Sequence, residues 1–389
     1  MSPDAYSVVH SMHLWLSQTM TWLHTQVQHL PPRIDSRIVC DKVDHLDQFP
    51  AARLVSPESD GAVLRALSAR FWPLARRRNA YLLSKELGLS DARVLHSHFG
   101  DRGWANLSVA RRHGVRHVVT FYGYDVSRLP QAQPRWRGRY EDMFAAADLF
   151  LCEGPFMAQS LVRLGCPQAK VRVHHLGVKL DEIAYEPRSW EPGSPLKVLI
   201  AGTFTEKKGI PYALRALARV RHRVPLEIHL IGDADAKADR QAEKAQILRA
   251  IDEGELGPQV RLHGYVTHAR MHEIARGCHV FLSPSVTAAD GDSEGGAPVS
   301  IIEMAAAGLP VVSTRHCDIP EVIEDGVGGW LGDERDVESL ERHLIWLIEH
   351  PGDWQAVTQA ARRRIETEFD ARSQGQRLAA HYDALAARP

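Results

Sequence analysis

The chain has 389 residues, of which 44% are hydrophobic and 24% charged, with a formal net charge of −1. That length exceeds one ordinary core and points to two domains of about 190 residues each. The balance is that of a globular protein and excludes a disordered, fibrous or strongly nucleic-acid-like composition. No apolar run reaches the roughly eighteen residues of a membrane span. The opening MSPDAYSVVHSMHLWL has no basic start followed by an apolar block, so no secretory signal is expected. Five scattered cysteines without a CxxC pair suit reduced thiols in the cytoplasm rather than disulfides or zinc.

In chain order, a short apolar segment comes first. A helix follows in SQTMTWLHTQVQHL, with Trp22, Leu23, Val27 and Leu30 at helical spacing and Ser17 or Thr19 as its cap. SRIVC (36–40) reads as a strand, and 61–88 as one or two helices. RVLHSH (93–98) is a strand and FGDRGWA a loop; VRHVVTF (115–121) is a strand ending in Tyr122, Gly123, Tyr124 and Asp125. Helices at 139–147 and 155–164 alternate with strands at 148–154 and 171–177. Three prolines in YEPRSWEPGSPL (185–196) mark a linker. A second series then runs: strands at 197–204, 226–232, 260–266 and 279–285, with helices at 210–223, 236–254 and 268–276. Helices at 335–349, 353–368 and 371–386 close the chain. This alternation predicts parallel βαβ units, whose ligands bind at the carboxyl ends of strands. His98, Tyr122, Asp125 and Gly177 fall at such ends.

Charge is uneven. Residues 1–190 hold 24 Lys+Arg against 18 Asp+Glu, and the stretch 65–139 holds 15 against 4. Arg76, Arg77 and Arg78, and Arg135, Arg137 and Arg139, lie in it. Both a solvated arginine-rich surface and a face for an anionic membrane or lipid-linked substrate fit this excess. No nucleic-acid-binding motif accompanies it.

Residues 291–312, GDSEGGAPVSIIEMAAAGLPVV, read as loop, short helix and strand. Pro298 suits the first helical residue, Gly308 the left-handed stop, and Val311 and Val312 a buried strand. Glycines at a helix N-terminus let backbone amides approach an anion such as phosphate. Glu294 and Glu303 are then better suited to accept hydrogen bonds from hydroxyls. The plain alternative is that Glu294 caps the helix and Glu303 lies on a solvated face. The loop from Gly202 through Thr203 and Glu206 to Lys207, Lys208 and Gly209 follows a strand and opens a helix, which suits a diphosphate. It is not a P-loop, and no GxGxxG occurs.

Together, AGTFTEKKGI, SPSVTAADGDSEGGAPVSIIEMAAAGLPVV and CDIPEVIEDGVGGWL closely resemble the C-terminal half of retaining glycosyltransferases of family 4. LHSHFG, VVTFYGYDVS, ADLFLCEGPFMAQSL and VRVHHLGV look like the acceptor half of bacterial members that build exopolysaccharide or lipopolysaccharide. The resemblance implies an α/β GT-B fold: two Rossmann-like domains facing across a cleft, here 1–188 and 189–368, with the helix in 369–389 crossing back to the first. It implies donor contacts from Thr203, Lys207, Lys208, Glu294, Gly295, Gly296, Ala297, Pro298 and Glu303. Lys208 matches the diphosphate-binding lysine of the family, Glu294 the sugar contact and Glu303 the ribose contact. Thr203 stands where arginine is usual, and one extra residue separates the two glutamates. On the acceptor side it implies His98, Tyr122 and Asp125, with Tyr122 where many members have histidine; Asp125 is alternatively a cap acting through Ser127. Catalysis is expected from Lys208, Glu294, Tyr122 and Asp125. No cofactor is expected beyond the nucleotide-sugar substrate. No metal is expected either, because none of the 21 histidines is read as an HxxxH helix pair beside carboxylates. The implied partners are a nucleotide-sugar donor and a glycan or lipid-linked acceptor, with a cytoplasmic location; the basic 65–139 stretch adds an anionic membrane surface, and hence peripheral attachment, as a further candidate. A non-catalytic sugar-nucleotide-binding subunit and a sugar-nucleotide epimerase are the competing readings.

Overall fold

A computed structural model describes residues 5–17, 20–57 and 72–387, without the side chains of 72–77. The expected helical stretch at 61–71 and the cap residue Thr19 lie outside the described residues. The chain divides into two units, Met1–Gly177 with Ala371–Pro389, and Val178–Asp370. The boundary precedes the proline-rich stretch at 185–196 because 178–190 is tied to the second unit. The Val178 amide donates to Phe369 O, the Glu186 amide to Ala307 O and the Arg188 amide to Gly308 O. Trp190 is buried in the core of the second unit, against Trp354.

In the first unit the strands are β1 (Tyr6–Trp15), β2 (Ile34–Val43), β3 (Leu54–Val55), β4 (Ala92–His98), β5 (Arg116–Thr120), β6 (Leu149–Cys152) and β7 (Val171–Val173). They form one parallel sheet in the order β3-β2-β1-β4-β5-β6-β7. β1 corrects the reading of 5–16 as a mere apolar segment. Val8, Val9 and Met12 fill both faces of a central strand, while His10 and Ser11 are buried and bonded to β4 and its following helix. The helix Thr21–Gln28 starts from Met20 without a side-chain cap, so Ser17 does not serve as one.

Gly100–His113 follows β4, ending at left-handed Gly114 with Arg111, Arg112 and His113 in its last turn, where cations meet the negative end of the helix dipole. The helix Ala371–Ala386 belongs to this unit. Its Leu378, Ala379 and Tyr382 pack with Tyr6, Val8 and Val94, and its Asp383 accepts from Tyr6 Oη at 2.7 Å.

The second unit repeats the plan with β8 (Leu196–Ala201), β9 (Leu226–Ile231), β10 (Val260–Gly264), β11 (Val280–Ser283), β12 (Val311–Thr314) and β13 (Trp330–Gly332), in the order β10-β9-β8-β11-β12-β13. Helix Ile210–Val220 buries one full face, including Ile210, Leu214, Leu217 and Val220, against this sheet. Both sheets reverse strand order once, beside β1 and β4 and beside β8 and β11. Rossmann-like sheets place ligands at such reversals.

Candidate functional site

At the second unit's reversal point, two loops leave adjacent strand ends. One turns through Glu206–Lys208 into the helix at Ile210; the other runs from Ser283 to Pro298. Gly209 allows them to touch: it has φ 62°, and a β-carbon there would lie 1.8 Å from Pro284 O. The Val286 amide donates to Lys207 O at 2.8 Å and fastens the contact.

This contact brings Lys208 to Glu294. Lys208 Nζ lies 2.8 Å from Oε1 and 3.0 Å from Oε2, and Ser285 Oγ donates to Oε1 at 2.9 Å. The Glu294 side chain is only 7% exposed. Burial alone would raise its carboxyl, but the Lys208 and Lys207 charges outweigh burial and hold it at about 2. Lys207 Nζ meets Asp292 at 3.2 Å and Ser293 O at 3.1 Å. Thr203 lies half-buried in the same loop, and its carbonyl accepts from Thr205 Oγ1.

Glu294 is not a helix cap. The helix spans Val299–Ala306 behind Pro298, one residue later than expected, with no side-chain cap. Left-handed Gly295 (φ 77°) turns the lengthened loop, and Gly295, Gly296, Ala297 and Pro298 are all buried. Behind the loop, the Glu294 amide donates to His316 Nε2 at 3.1 Å, and His316 Nδ1 meets Glu334 Oε1 at 2.6 Å. An amide can only donate, so the proton of neutral His316 sits on Nδ1. Glu334 also accepts the Thr287 amide at 2.7 Å. Ser285, His316 and Glu334 therefore fix Glu294. Sequence alone gave no sign of them, because their partners come from neighbouring strands.

Glu303 is buried rather than on a solvated face, at 8% side-chain exposure. It accepts from His268 Nε2 at 2.7 Å, and His272 Nε2 lies 3.7 Å from its other oxygen. Burial would raise this carboxyl too, yet the two imidazoles hold it at about 2, while Glu303 draws His268 above its ordinary range against burial. The expectation of no HxxxH helix pair beside carboxylates is thereby corrected. His268 and His272 are such a pair on helix His268–Arg276, and their carboxylate arrives from a different helix. The three ligand atoms lie within 4.8 Å of one another.

The first unit's reversal point combines a charged cluster, in which His13 bridges Asp41 and Asp101 and Arg102 pairs with Asp41, and a neutral network of histidines. His10, His96 and His98 sit on adjoining β1 and β4, fully buried, and burial pushes all three imidazoles down. His98 Nδ1 meets Tyr122 Oη at 2.6 Å, and its Nε2 meets His10 Nδ1 at 3.1 Å. His96 bridges Thr120 Oγ1 and Tyr382 Oη, both at 2.6 Å. Tyr122 lies tilted against Trp22 at 4.3 Å between centroids, and burial raises its phenol well above 10. It can orient a hydroxyl but is no base at neutral pH.

Asp125 is a loop clamp. It is fully buried, and its carboxylate accepts the amides of Gly100, Tyr122 and Gly123, so the expected acceptor contact has no free oxygen facing out. Ser127 donates to Gly123 O and does not cap the helix Arg128–Ala132.

Within the basic stretch 65–139, residues 65–71 lie outside the described ones. Arg102 is buried against Asp41 at 2.9 Å, and Arg139 lies over the Trp104 and Trp136 rings. Arg111, Arg112, Arg135 and Arg137 are exposed. Among the described residues no helix is long and apolar enough to cross a membrane.

Two family models match the chain: Glycosyltransferase Family 4 over 21–182 and Glycosyl transferases group 1 over 195–350. The putative colanic acid biosynthesis glycosyltransferase WcaL of Escherichia coli is 30% identical over 299 residues, covering 76% of this chain and 71% of that protein. The chain belongs to the family 4, group 1 glycosyltransferases. The amylovoran biosynthesis glycosyltransferase AmsK of Erwinia amylovora is 34% identical over 70% of the chain, and the match spans 64% of that relative. Anabaena Alr3699/HepE, solved with UDP-glucose, superposes with a TM-score of 0.74 at 14% identity over 97% of this chain and 100% of that one. The fold is thus GT-B, built from two Rossmann-like domains with parallel sheets. Within this glycosyltransferase, Lys207, Lys208, Glu294 and the Gly295–Pro298 loop form one cluster, with Glu303 on the helix that follows.

Proposed function

We propose that this glycosyltransferase is retaining and moves a sugar from a nucleotide-diphosphate sugar to a lipid-linked or polysaccharide acceptor in exopolysaccharide or lipopolysaccharide synthesis. The observation that carries this reading is the buried Lys208–Glu294 pair, set in a glycine-built cradle at a strand-order reversal. Such a pair offers a cation for a diphosphate and an acceptor for sugar hydroxyls within one hydrogen-bond radius. The biosynthetic names of AmsK and WcaL and the UDP-glucose complex of HepE support the donor and pathway class.

In this reading the diphosphate takes up the Lys208 ammonium, and Glu294 turns its lone pairs to the transferred sugar. Glu303 accepts from the nucleotide ribose. The bond from the anomeric carbon to the leaving phosphate breaks, and the acceptor oxygen attacks from the same face. The departing phosphate oxygen takes the acceptor's proton. Lys208 and the loop amides stabilise the charge that develops on the leaving group. Tyr122, backed by neutral His98, orients an acceptor hydroxyl. No step calls for a metal, because lysine supplies the positive charge. The exposed Arg111, Arg112, Arg135 and Arg137 suit peripheral attachment to an anionic membrane on the cytoplasmic side.

The test is turnover of a panel of nucleotide sugars with and without lipid-linked glycan, with NMR of the anomeric linkage. Donor loss that requires acceptor, with retained configuration, is expected. Interconversion of donor without acceptor would establish an epimerase; binding without turnover under any condition would establish the partner-subunit reading. Flotation with anionic and neutral vesicles at low salt checks the membrane face, and equal absence from both would remove it.

A further inference from the structure

The His268–His272–Glu303 cluster has more ligand chemistry than a hydroxyl-binding carboxylate needs. His268 and His272 are four residues apart on one helix, so their rings share a face. Helix Val299–Ala306 supplies the carboxylate from outside that helix. The distances from Glu303 oxygens to His268 Nε2 and His272 Nε2, 2.7 Å and 3.7 Å, straddle the roughly 3.3 Å between neighbouring ligand atoms of a tetrahedral zinc. His272 Nε2 is buried and has no hydrogen-bond partner among the described residues, an arrangement with a desolvation cost unless something satisfies it. His268 is 39% exposed, which leaves an entry path and an open coordination position.

The His10–His96–His98 trio also has close nitrogens. There, however, five of the six ring nitrogens bond to one another, to Thr120 and to two tyrosines; His10 Nε2 is without a partner among the described residues, but no carboxylate joins the trio and it is wholly enclosed.

We propose that His268, His272 and Glu303 bind a divalent transition metal of the zinc class, and that metal held there takes the Glu303 carboxylate away from the nucleotide. Two imidazoles with one carboxylate favour zinc, cobalt or nickel over magnesium or calcium, which prefer all-oxygen sites. The metal is an antagonist of donor binding and has no part in the transfer. That second half rests on the proposed ribose contact of Glu303.

The test uses tag-free full-length protein stripped with chelator. Zn²⁺ is titrated calorimetrically, and Co²⁺ serves as the optical probe. Wild type is expected to take one equivalent, with the intense visible bands of four-coordinate cobalt. His272→Ala is expected to weaken binding at least tenfold, and His268→Ala/His272→Ala to abolish it. Glu303→Gln, which keeps the shape of the side chain, repeats the loss should the double variant melt early. Saturating UDP is expected to lower the apparent zinc affinity of wild type. No saturable binding by wild type, or equal binding by the double variant, overturns the site. Zinc binding that depends on both histidines but ignores UDP keeps the site and overturns the antagonism, together with the ribose role of Glu303.

Discussion

The two sheets reverse strand order in the same way, yet the side chains gathered at the two reversal points differ: among the described residues, only the first holds an extended neutral network at its centre. At the centre of the β1 and β4 reversal the polar groups are neutral imidazoles and phenols, bonded to one another and shielded from water, with the charged cluster of His13, Asp41, Asp101 and Arg102 alongside. Beside β8 and β11 they are full charges, Lys208 on Glu294, with His268 on Glu303 nearby. A buried ion pair is a weak source of stability, because desolvation consumes much of the Coulomb gain. Its value lies in being ready to exchange one partner for an anionic ligand. A neutral network cannot do this, but it can hold an uncharged hydroxyl without attracting phosphate. Under the proposed function, this difference would separate a diphosphate-handling half from a hydroxyl-handling half on the same scaffold.

The largest expected effect comes from breaking the charged pair. Lys208→Ala leaves Glu294 buried without its cation, and stability should fall by up to about 3–5 kcal/mol. Transfer should fall about 10²–10³-fold, the scale of losing one oxyanion-stabilising donor. Lys208→Ala/Glu294→Gln removes both charges and should recover much of the urea midpoint while leaving transfer lost. A double variant as unstable as the single would mean that Lys208 stabilises by packing and not by charge.

Acid separates the halves next. His10 and His174 are pushed down to about 3 and His117 to about 4, from 6.5. Their folded forms are neutral, so the stability they contribute is fully present above pH 6.5 and is lost as pH falls toward those values. Asp125, pushed up from 3.8 to about 7, works in the other direction across this range, while His13, raised to about 9 by Asp101 and Asp41 against burial, has its full contribution already below pH 6.5 and adds no change there. Glu294 sits at about 2 against 4.5, so its contribution is intact above 4.5 and is lost only between there and 2. Amide exchange between pH 6.5 and 4.5 should therefore accelerate in β1, β4 and β5 before β8, β11 and β12. Simultaneous loosening of both units would show that the histidine network does not set the acid response.

Within the neutral network, Tyr122→Phe removes the hydroxyl facing His98 and leaves Nδ1 without that partner. A loss of about 1–3 kcal/mol is expected. Acceptor KM should rise while donor KM holds. A change in donor KM instead would place Tyr122 with the nucleotide.

The alternation of strands and helices was legible because each apolar run is bounded by turn residues. Lys208, Glu294 and Glu303 stood out because carboxylates and lysines are unusual beside glycines and small apolar residues. β1 was hidden because His10, Ser11 and His13 interrupt its apolar pattern, and the burial of His10 and Ser11 depends on a sheet neighbour far along the chain. The pairing of His268 and His272 with Glu303 was hidden because the carboxylate comes from another helix, about thirty residues further along the chain. Asp125 was misleading because a conspicuous acid at a strand end looks like a ligand group, whereas three backbone amides occupy it.

The smallest effect tests whether charge at the second reversal point serves the diphosphate alone. Glu303→Gln keeps an acceptor oxygen for a ribose hydroxyl but removes the negative charge and turns one end of the carboxylate into a donor. A charge-assisted bond is roughly twice as strong as a neutral one. UDP should therefore bind about tenfold more weakly, near 1.4 kcal/mol, by calorimetry in chelator. Lys208 is untouched, so the salt dependence of UDP binding should match wild type. Unchanged affinity would mean that hydroxyl recognition here is as neutral as in the first unit. The ion at Glu303 would then answer only to its histidines.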